Sequence, residues 1–407
     1  MQSTVLLHHP KTALRIAVVT ETYPPEINGV ARTVGLMVDE LLARGHHIEL
    51  VRPRQACDSP DASLQTPRFE ERLTAGFRIP NYPELQIGII RTKRLLRAWG
   101  AQRPDIVHVI TEGPLGWSAL LAARKLGIPA VSDFHTNFHD YSRHYGFGWI
   151  SGLIAGYLRA LHNRTDCTFV PTHEMRDRLH TLGFKGFTVV GRGIDTRIFS
   201  PAKRSVELRR SWRCEDDTPV ALYVGRLAAE KNLRLFVETI RAARSHRPEL
   251  RVVIVGDGPM GKRLRAENPD FLFAGMRTGE DLAAYYASAD LFVFPSLSET
   301  FGNVTMEALA SGLAVVAFDY AAAREHIVHG YNGLVAQCGD ESAFRRHTLR
   351  LVSASHEVQK LREHARQTAE GLSWSKAFDD LERSLFKFAA TRARPRPDGA
   401  PTAAAAD

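Results

Sequence analysis

The sequence predicts an α/β protein made of two Rossmann-like domains, each a parallel sheet wound with helical crossovers. Three observations carry this. Short β-branched runs alternate with helical segments along the chain, the pattern of strand, crossover and parallel strand. The runs fall into two groups of six. The chain has 407 residues, more than one hydrophobic core organises. In the first group the strands are RIAVV from Arg15, HIELV from His47, DIVHVI from Asp105, PAVSDFH from Pro129, CTFVP from Cys167 and TVVGRG from Thr188. The second group is VALYVG from Val220, RVVIVG from Arg251, FLFAG from Phe271, DLFVFP from Asp290, AVVAFD from Ala314 and GLVA from Gly333. The join falls in GRGIDTRIFSPAKRS, where two glycines and Pro201 interrupt both periodicities. SKAFDDLERSLFKFAA from Ser375 has the spacing of an amphipathic helix, and the proline-rich tail after it is expected to be disordered.

Composition narrows the class of protein. Hydrophobic residues make up 44% and charged residues 24%, as in ordinary soluble enzymes. No apolar run reaches the roughly 18 residues of a spanning helix, and the N-terminus lacks the pattern of a signal peptide, so a cytoplasmic location is expected. Cys57, Cys167, Cys214 and Cys338 match no metal or redox spacing and read as packing residues. A net charge of +8 favours acidic partners. With no recognised nucleic-acid motif, an anionic membrane or a phosphorylated substrate is the better candidate.

Open α/β sheets bind ligands beyond the carboxyl ends of their strands, so chemistry is sought in those loops. After the first strand, Asn28-Gly29 opens a helix, where a glycine lets backbone N–H groups approach an anion; a simple turn and cap reads equally well. After the seventh, Arg226 and Lys231 stand in YVGRLAAEKN with no nearby acid except Glu230. Cations oppose the helix dipole at an N-terminus, so a diphosphate is the expected counter-charge. GDGPMG from Gly256 fits G-x-G-x-x-G, but Pro259 interrupts it and no acid ends the following strand. It reads as a tight turn and not as a dinucleotide fingerprint. His135, His139 and His144 lack a metal-binding pattern, and only His135, at a strand end, is placed for a cleft. In SETFGNVTMEALASG from Ser298, Glu299 sits in a turn, while Glu307 lies on a helix apolar on almost every side, which reads as a buried acid with partners. The helix WISGLIAGYLRALHNR from Trp149, with Arg143, Arg159 and Arg164 nearby, reads either as a core helix or as a membrane-interface helix. KRLLRAW from Lys93 is a second basic-aromatic patch.

Four separated motifs, PPEINGVART, GRLAAEK, SETFGNVTMEALASG and FDYAAAREHIVHGYNGLV, occur in the order found in glycosyltransferase family 4. Over roughly residues 13 to 391 the chain resembles these retaining enzymes of the GT-B fold. Within the family it is most similar to bacterial lipid α-mannosyltransferases and sulfoquinovosyl- and glucuronosyl-diacylglycerol synthases. The resemblance implies a GT-B arrangement of two domains facing across a cleft. Residues 13–197 would bind the acceptor, 198–373 would bind the nucleotide sugar, helix 374–391 would cross back toward the first domain, and 392–407 would be a disordered tail.

What the resemblance implies for the site is specific. Glu299 would face the donor sugar, with the amides of Phe301, Gly302 and Asn303 on sugar and phosphate. Glu307 would accept hydrogen bonds from the ribose hydroxyls. Arg226 and Lys231 match the diphosphate-binding cations, Gly29 the phosphate-facing glycine, and His135 the histidine beside sugar and acceptor. The reaction implied is retaining hexosyl transfer from a nucleotide diphosphate sugar, GDP-mannose or a UDP-sugar, to a membrane glycolipid or lipid. The alternatives are a soluble or polysaccharide acceptor, or a catalytically silent nucleotide-sugar-binding module. No Asp-x-Asp motif is present, so no metal and no cofactor is expected; the donor is a substrate. The expected partners are donor, lipid or glycan acceptor and anionic membrane on the inner face of the cell membrane, without nucleic acid.

Overall fold

The computed structural model describes residues 12–26, 28–55, 58, 65–79, 82–135, 148–215, 217–299 and 301–391. Cys57, His139, Arg143, His144 and the tail 392–407 lie outside the described residues. Two α/β domains are present, each built on a largely parallel sheet, and they face each other across a cleft as expected.

Among the described residues the N-terminal sheet has nine strands: β1 (Arg15–Val19), β2 (His47–Pro53), β3 (Gln65–Thr66), β4 (Phe69–Ile79), β5 (Tyr82–Ile89), β6 (Ile106–Val109), β7 (Ala130–Asp133), β8 (Cys167–Val170) and β9 (Phe187–Val189). Their order is β3-β4-β2-β1-β6-β7-β8-β9, with β5 on β4. The period of two along β1 builds the domain. Ile16 and Val18 face a core shared with the helix Gly29–Ala43, while Ala17 and Val19 face a second core holding Leu95, Trp99, Leu115 and Leu120 of the helices Thr92–Ala101 and Pro114–Leu126. Helices cover both faces, so the strand reads as one apolar run.

The expected six strands are present, and three more join them. β3 and β5 pair antiparallel with β4, which runs parallel to β2. β4 escapes sequence reading because Glu71 and Arg72 in FEERLTAGFRI pair with buried charges of β2. Glu71 and Asp58 bracket the buried Arg52, at 2.6 and 2.8 Å. Arg72 and the Trp99 indole share Glu49, at 2.7 and 3.0 Å. Paired in this way, the charges are tolerated where apolar residues are the rule. One of the four cysteine assignments also changes: Cys167 is buried and Cys214 half-buried, but Cys338 is exposed and is no core residue.

The C-terminal sheet is entirely parallel: β10 (Val220–Val224), β11 (Arg251–Val255), β12 (Leu272–Gly275), β13 (Leu291–Phe294), β14 (Ala314–Phe318) and β15 (Leu334–Ala336). Its order, β12-β11-β10-β13-β14-β15, reverses between β10 and β13. The N-terminal sheet reverses likewise between β1 and β6. Loops after these four strands splay apart at the switch points and leave a crevice, the usual ligand position in such sheets.

The chain crosses between domains twice, side by side. Ile194 N donates to Leu372 O at 2.9 Å, and at Gly193 a Cβ would lie 2.2 Å from Trp374 N, so only glycine fits there. The final helix, Trp374–Thr391, packs on the N-terminal core through Phe378, Leu381 and Leu385. Glu382 anchors it to Arg44 at 2.6 Å and to His46 at 2.9 Å.

Candidate active site

Between the two switch points lies a cleft of about 480 Å³. Its N-terminal wall contains Thr22 and Gly29 after β1, Thr111 after β6, His135 after β7, and Arg192 from the first crossing. The opposite wall contains Gly225, Arg226 and Lys231 after β10, and Glu299, Gly302 and Asn303 after β13. Phe301 completes that side. Of the nine residues that the resemblance assigns to the site, all but Glu307 line one cleft.

On the C-terminal side two elements set the chemistry. Gly302 is left-handed (φ +95°) and ends the turn at the start of the helix Asn303–Ala310, so the helix presents its first amides to the cleft. Lys231 closes a short 3₁₀ turn, Ala229–Lys231. Its Nζ donates to Glu299 Oε1 at 2.6 Å and to Ser298 O at 2.8 Å, and the Ser296 hydroxyl donates to the same Glu299 oxygen at 2.8 Å. This corrects the expectation that Glu230 is the one acid near the cations: the partner of Lys231 lies 68 residues further on. Arg226 is exposed at the cleft edge. The turn from Gly256 does not line the cleft. Gly256 has φ +127° and a Cβ there would lie 2.0 Å from Gly225 O, so this glycine lets the cation loop pack down.

Across the cleft, Asn28 caps the helix Gly29–Ala43, its Oδ1 accepting from Ala31 N at 2.8 Å. Gly29 begins that helix opposite Asn303: a Cβ on Gly29 would come within 3.5 Å of Asn303 Nδ2. His135 sits between Arg192 and Asp133. Arg192 Nη2 donates to Nδ1 at 3.4 Å, and Nε2 lies 3.3 Å from Asp133 Oδ2. Asp133 also accepts from His108 Nε2 at 2.8 Å. Burial opposes ionisation of Asp133, but His108 and His135 outweigh it and hold the carboxyl well below the usual carboxylate range. Between Arg192 and Asp133, His135 is fixed in place at the cleft wall.

Glu21, one residue before Thr22, lies over the start of the helix Pro114–Leu126, where Leu115 N donates to Oε1 at 3.3 Å. Burial pushes its carboxyl up to about 7, against bonds from Leu115, Thr111 and Gly113 and with repulsion from Glu112. The native state thus keeps this proton after the unfolded chain, titrating near 4.5, has lost it. Stability is greatest below pH 4.5 for this group and falls as pH rises to 7. Urea unfolding at pH 5 and pH 8 is expected to show a loss of up to about 3 kcal/mol that Glu21→Gln removes; an unchanged pH slope in the variant contradicts it.

Glu307 sits behind the cleft wall and is only 4% exposed. It has the partners expected of a buried acid: Oε1 accepts from Arg32 Nη1 at 2.8 Å and Oε2 from the Tyr286 hydroxyl at 3.0 Å. Burial still raises its carboxyl above the ordinary range. Sequence reading passed over Arg32, Thr111, Asp133 and Arg192. Thr111 follows a recognised strand and Arg192 lies within the recognised join, so loop position marked both; the other two are fixed by contacts from distant residues.

Residues 27–198 match the family described as Glycosyltransferase Family 4, and residues 218–354 match Glycosyl transferases group 1. A GDP-mannose-dependent alpha-mannosyltransferase of Mycobacterium tuberculosis is 33% identical over 390 residues, which cover 94% of this chain and 98% of that one. The chain belongs to glycosyltransferase family 4. An alpha-monoglucosyldiacylglycerol synthase of Streptococcus pneumoniae is 27% identical over 322 residues, 75% of this family 4 chain and 71% of the synthase. The crystal structure of Anabaena HepE in complex with UDP and glucose superposes with a TM-score of 0.70 at 16% identity, covering 92% of this glycosyltransferase and all of HepE. At that identity the likeness speaks for the fold.

Proposed function

We propose that this glycosyltransferase moves a hexosyl group, with retention and without a divalent metal, from a nucleotide diphosphate sugar to a membrane glycolipid or lipid. The observation that carries the reading is the convergence of Arg226, Lys231 and the first amides of the helix Asn303–Ala310 on one end of the cleft, facing His135 across it. Departure of a nucleoside diphosphate develops negative charge, and cations with helix-end amides fixed in advance neutralise it. In this reading Arg226 and Lys231 hold the diphosphate, while Gly29 and the amides of Phe301, Gly302 and Asn303 approach sugar and phosphate. Glu299 faces the sugar, His135 lies beside sugar and acceptor, and Glu307 takes the ribose diol. Among the described residues no second carboxylate is paired with Glu299 as in two-carboxylate glycosidases, so same-face attack within an ion pair accounts for retention. GDP-mannose is the favoured donor because the mannosyltransferase similar over nearly its whole length uses it. A lipid acceptor is favoured by the diacylglycerol-linked product of the second relative.

A thermal melt tests the donor side. GDP at 100 times its dissociation constant should stabilise the protein by about 2.7 kcal/mol, with UDP and ADP giving less at equal concentration and EDTA leaving the increment unchanged. Loss of the increment on chelation, restored by magnesium or manganese, would contradict the metal-independent reading.

The acceptor side is expected at a membrane surface. Among the described residues no helix is long and apolar enough to cross a membrane. Three N-terminal helices, Thr92–Ala101, Pro114–Leu126 and Gly148–His162, contain no acidic residue. The first two pack together, and Trp117 stacks on Tyr157 to join the third. They expose Lys93, Arg94, Arg97, Arg124 and Lys125 together with Leu121 and Leu153. Leu158 and Leu161 of the third helix face the core, in line with the core reading of its sequence, and the exposed Leu153 leaves a face for the interface reading proposed here. Basic residues near an anionic bilayer contribute about 1 kcal/mol each. Co-sedimentation should favour anionic over neutral vesicles, decline with salt and weaken on Lys93→Glu with Arg97→Glu. Equal binding to both lipids would contradict the electrostatic attachment.

A further inference from the structure

Arg32, in the first turns of the helix Gly29–Ala43, leaves its own domain. Nη1 donates to Glu307 Oε1 at 2.8 Å, and the guanidinium carbon lies 5.5 Å from the centre of the Phe199 ring. The Arg32 side chain is 44% exposed; that of Glu307 is 5% exposed. The dependence is therefore one-sided. Without Glu307, Arg32 returns to water at little cost; without Arg32, Glu307 is a buried carboxylate left with one neutral donor, the Tyr286 hydroxyl. Three residues before Arg32, Gly29 lines the cleft, and four residues before Glu307, Asn303 lines it from the other side, facing Gly29. The pair thus closes the back of the cleft, one turn of each helix behind the walls that would grip the donor's phosphates.

We propose that Arg32 is a built-in stand-in for the donor's ribose: it bonds Glu307 Oε1, and the nucleotide's vicinal diol binds by displacing it. The inference rests on the reading that Glu307 takes the ribose. A diol offers two O–H donors to a carboxylate, so it replaces the guanidinium bond at Oε1 while leaving the Tyr286 bond at Oε2 in place. Arg32, already half in solvent, rehydrates or turns toward the nearby diphosphate. The displacement keeps the buried acid satisfied in both states, and it takes free energy out of nucleotide binding. An enzyme whose competent state is partly masked binds its ligand more weakly by the masked fraction, which favours release of the spent nucleotide after transfer.

Calorimetric titration of wild type, Arg32→Ala, Arg32→Lys and Glu307→Gln with GDP and with 2',3'-dideoxy-GDP tests this. Arg32→Ala is expected to bind GDP about five- to twentyfold tighter by this removal of masking. Its affinity for the dideoxy nucleotide, which has no diol to claim the vacated oxygen, should stay at the wild-type value. Arg32→Lys keeps a charge within reach of Glu307 and should bind GDP nearly as wild type does. Weaker or unchanged GDP binding by Arg32→Ala overturns displacement. The Glu307 variant separates this from the reading beneath it. If Glu307→Gln loses affinity for GDP but not for the dideoxy nucleotide while Arg32→Ala fails to tighten, the ribose contact stands and displacement falls. If Glu307→Gln loses affinity for both equally, Glu307 does not touch the ribose and both fall.

Discussion

Lys231→Ala is expected to lower kcat by about two to three orders of magnitude, the loss usually seen when a preorganised charge partner of the transition state is removed. Lys231 is locked at 2.6 Å from Glu299 and 2.8 Å from Ser298 O, and its side chain is 16% exposed. In the proposed role it would meet the developing diphosphate charge without first being ordered, in a site where water screens little. Arg226→Ala should also lower turnover strongly, but from an exposed position at the cleft edge the fall should be the smaller of the two. Steady-state kinetics with a saturating donor, alongside melting curves showing both variants folded, make the measurement. Rates within threefold of wild type for both would remove the diphosphate assignment.

Glu299→Gln is expected to lower kcat by about ten- to a hundredfold, as fits the loss of one hydrogen bond to a charged group, about 1.5–3 kcal/mol. Glutamine keeps the shape and can still accept from the Ser296 hydroxyl and Lys231. If Glu299 faces the sugar, the variant should bind GDP, which has no sugar, with nearly wild-type affinity. Parallel loss of GDP affinity and turnover would mean that Glu299 acts only by holding Lys231 in place.

The sequence made the cleft's position legible for a plain physical reason. Strands covered on both faces, such as β1 with Ile16, Ala17, Val18 and Val19 all buried, must be apolar runs, and the loops following them must meet at the switch points. Asn28, Gly29, Gly302 and Asn303 carry local signals of helix starts, so they too could be placed. What escaped depends on charge pairing over long separations. β4 was hidden by Glu71 and Arg72, whose partners Arg52 and Glu49 belong to β2. Lys231 and Glu299 are 68 residues apart, and Arg32 and Glu307 are 275 apart. Such pairs leave no periodicity in the chain, because only the fold makes them neighbours. Arg192 is an intermediate case: its place at the join was visible, but not that it would reach back to His135.

The central claim is tested most directly by incubating the purified full-length protein with GDP-[¹⁴C]mannose, or in parallel UDP-[¹⁴C]glucose, and vesicles carrying diacylglycerol and glycosyl-diacylglycerol, then partitioning the label between water and organic solvent. The account predicts labelled hexose in the lipid phase, α-linked as in the donor, formed by wild type and reduced at least a hundredfold in Lys231→Ala. Label that remains in the water phase with every donor, as intact nucleotide sugar or as free hexose, would contradict glycosyl transfer to lipid.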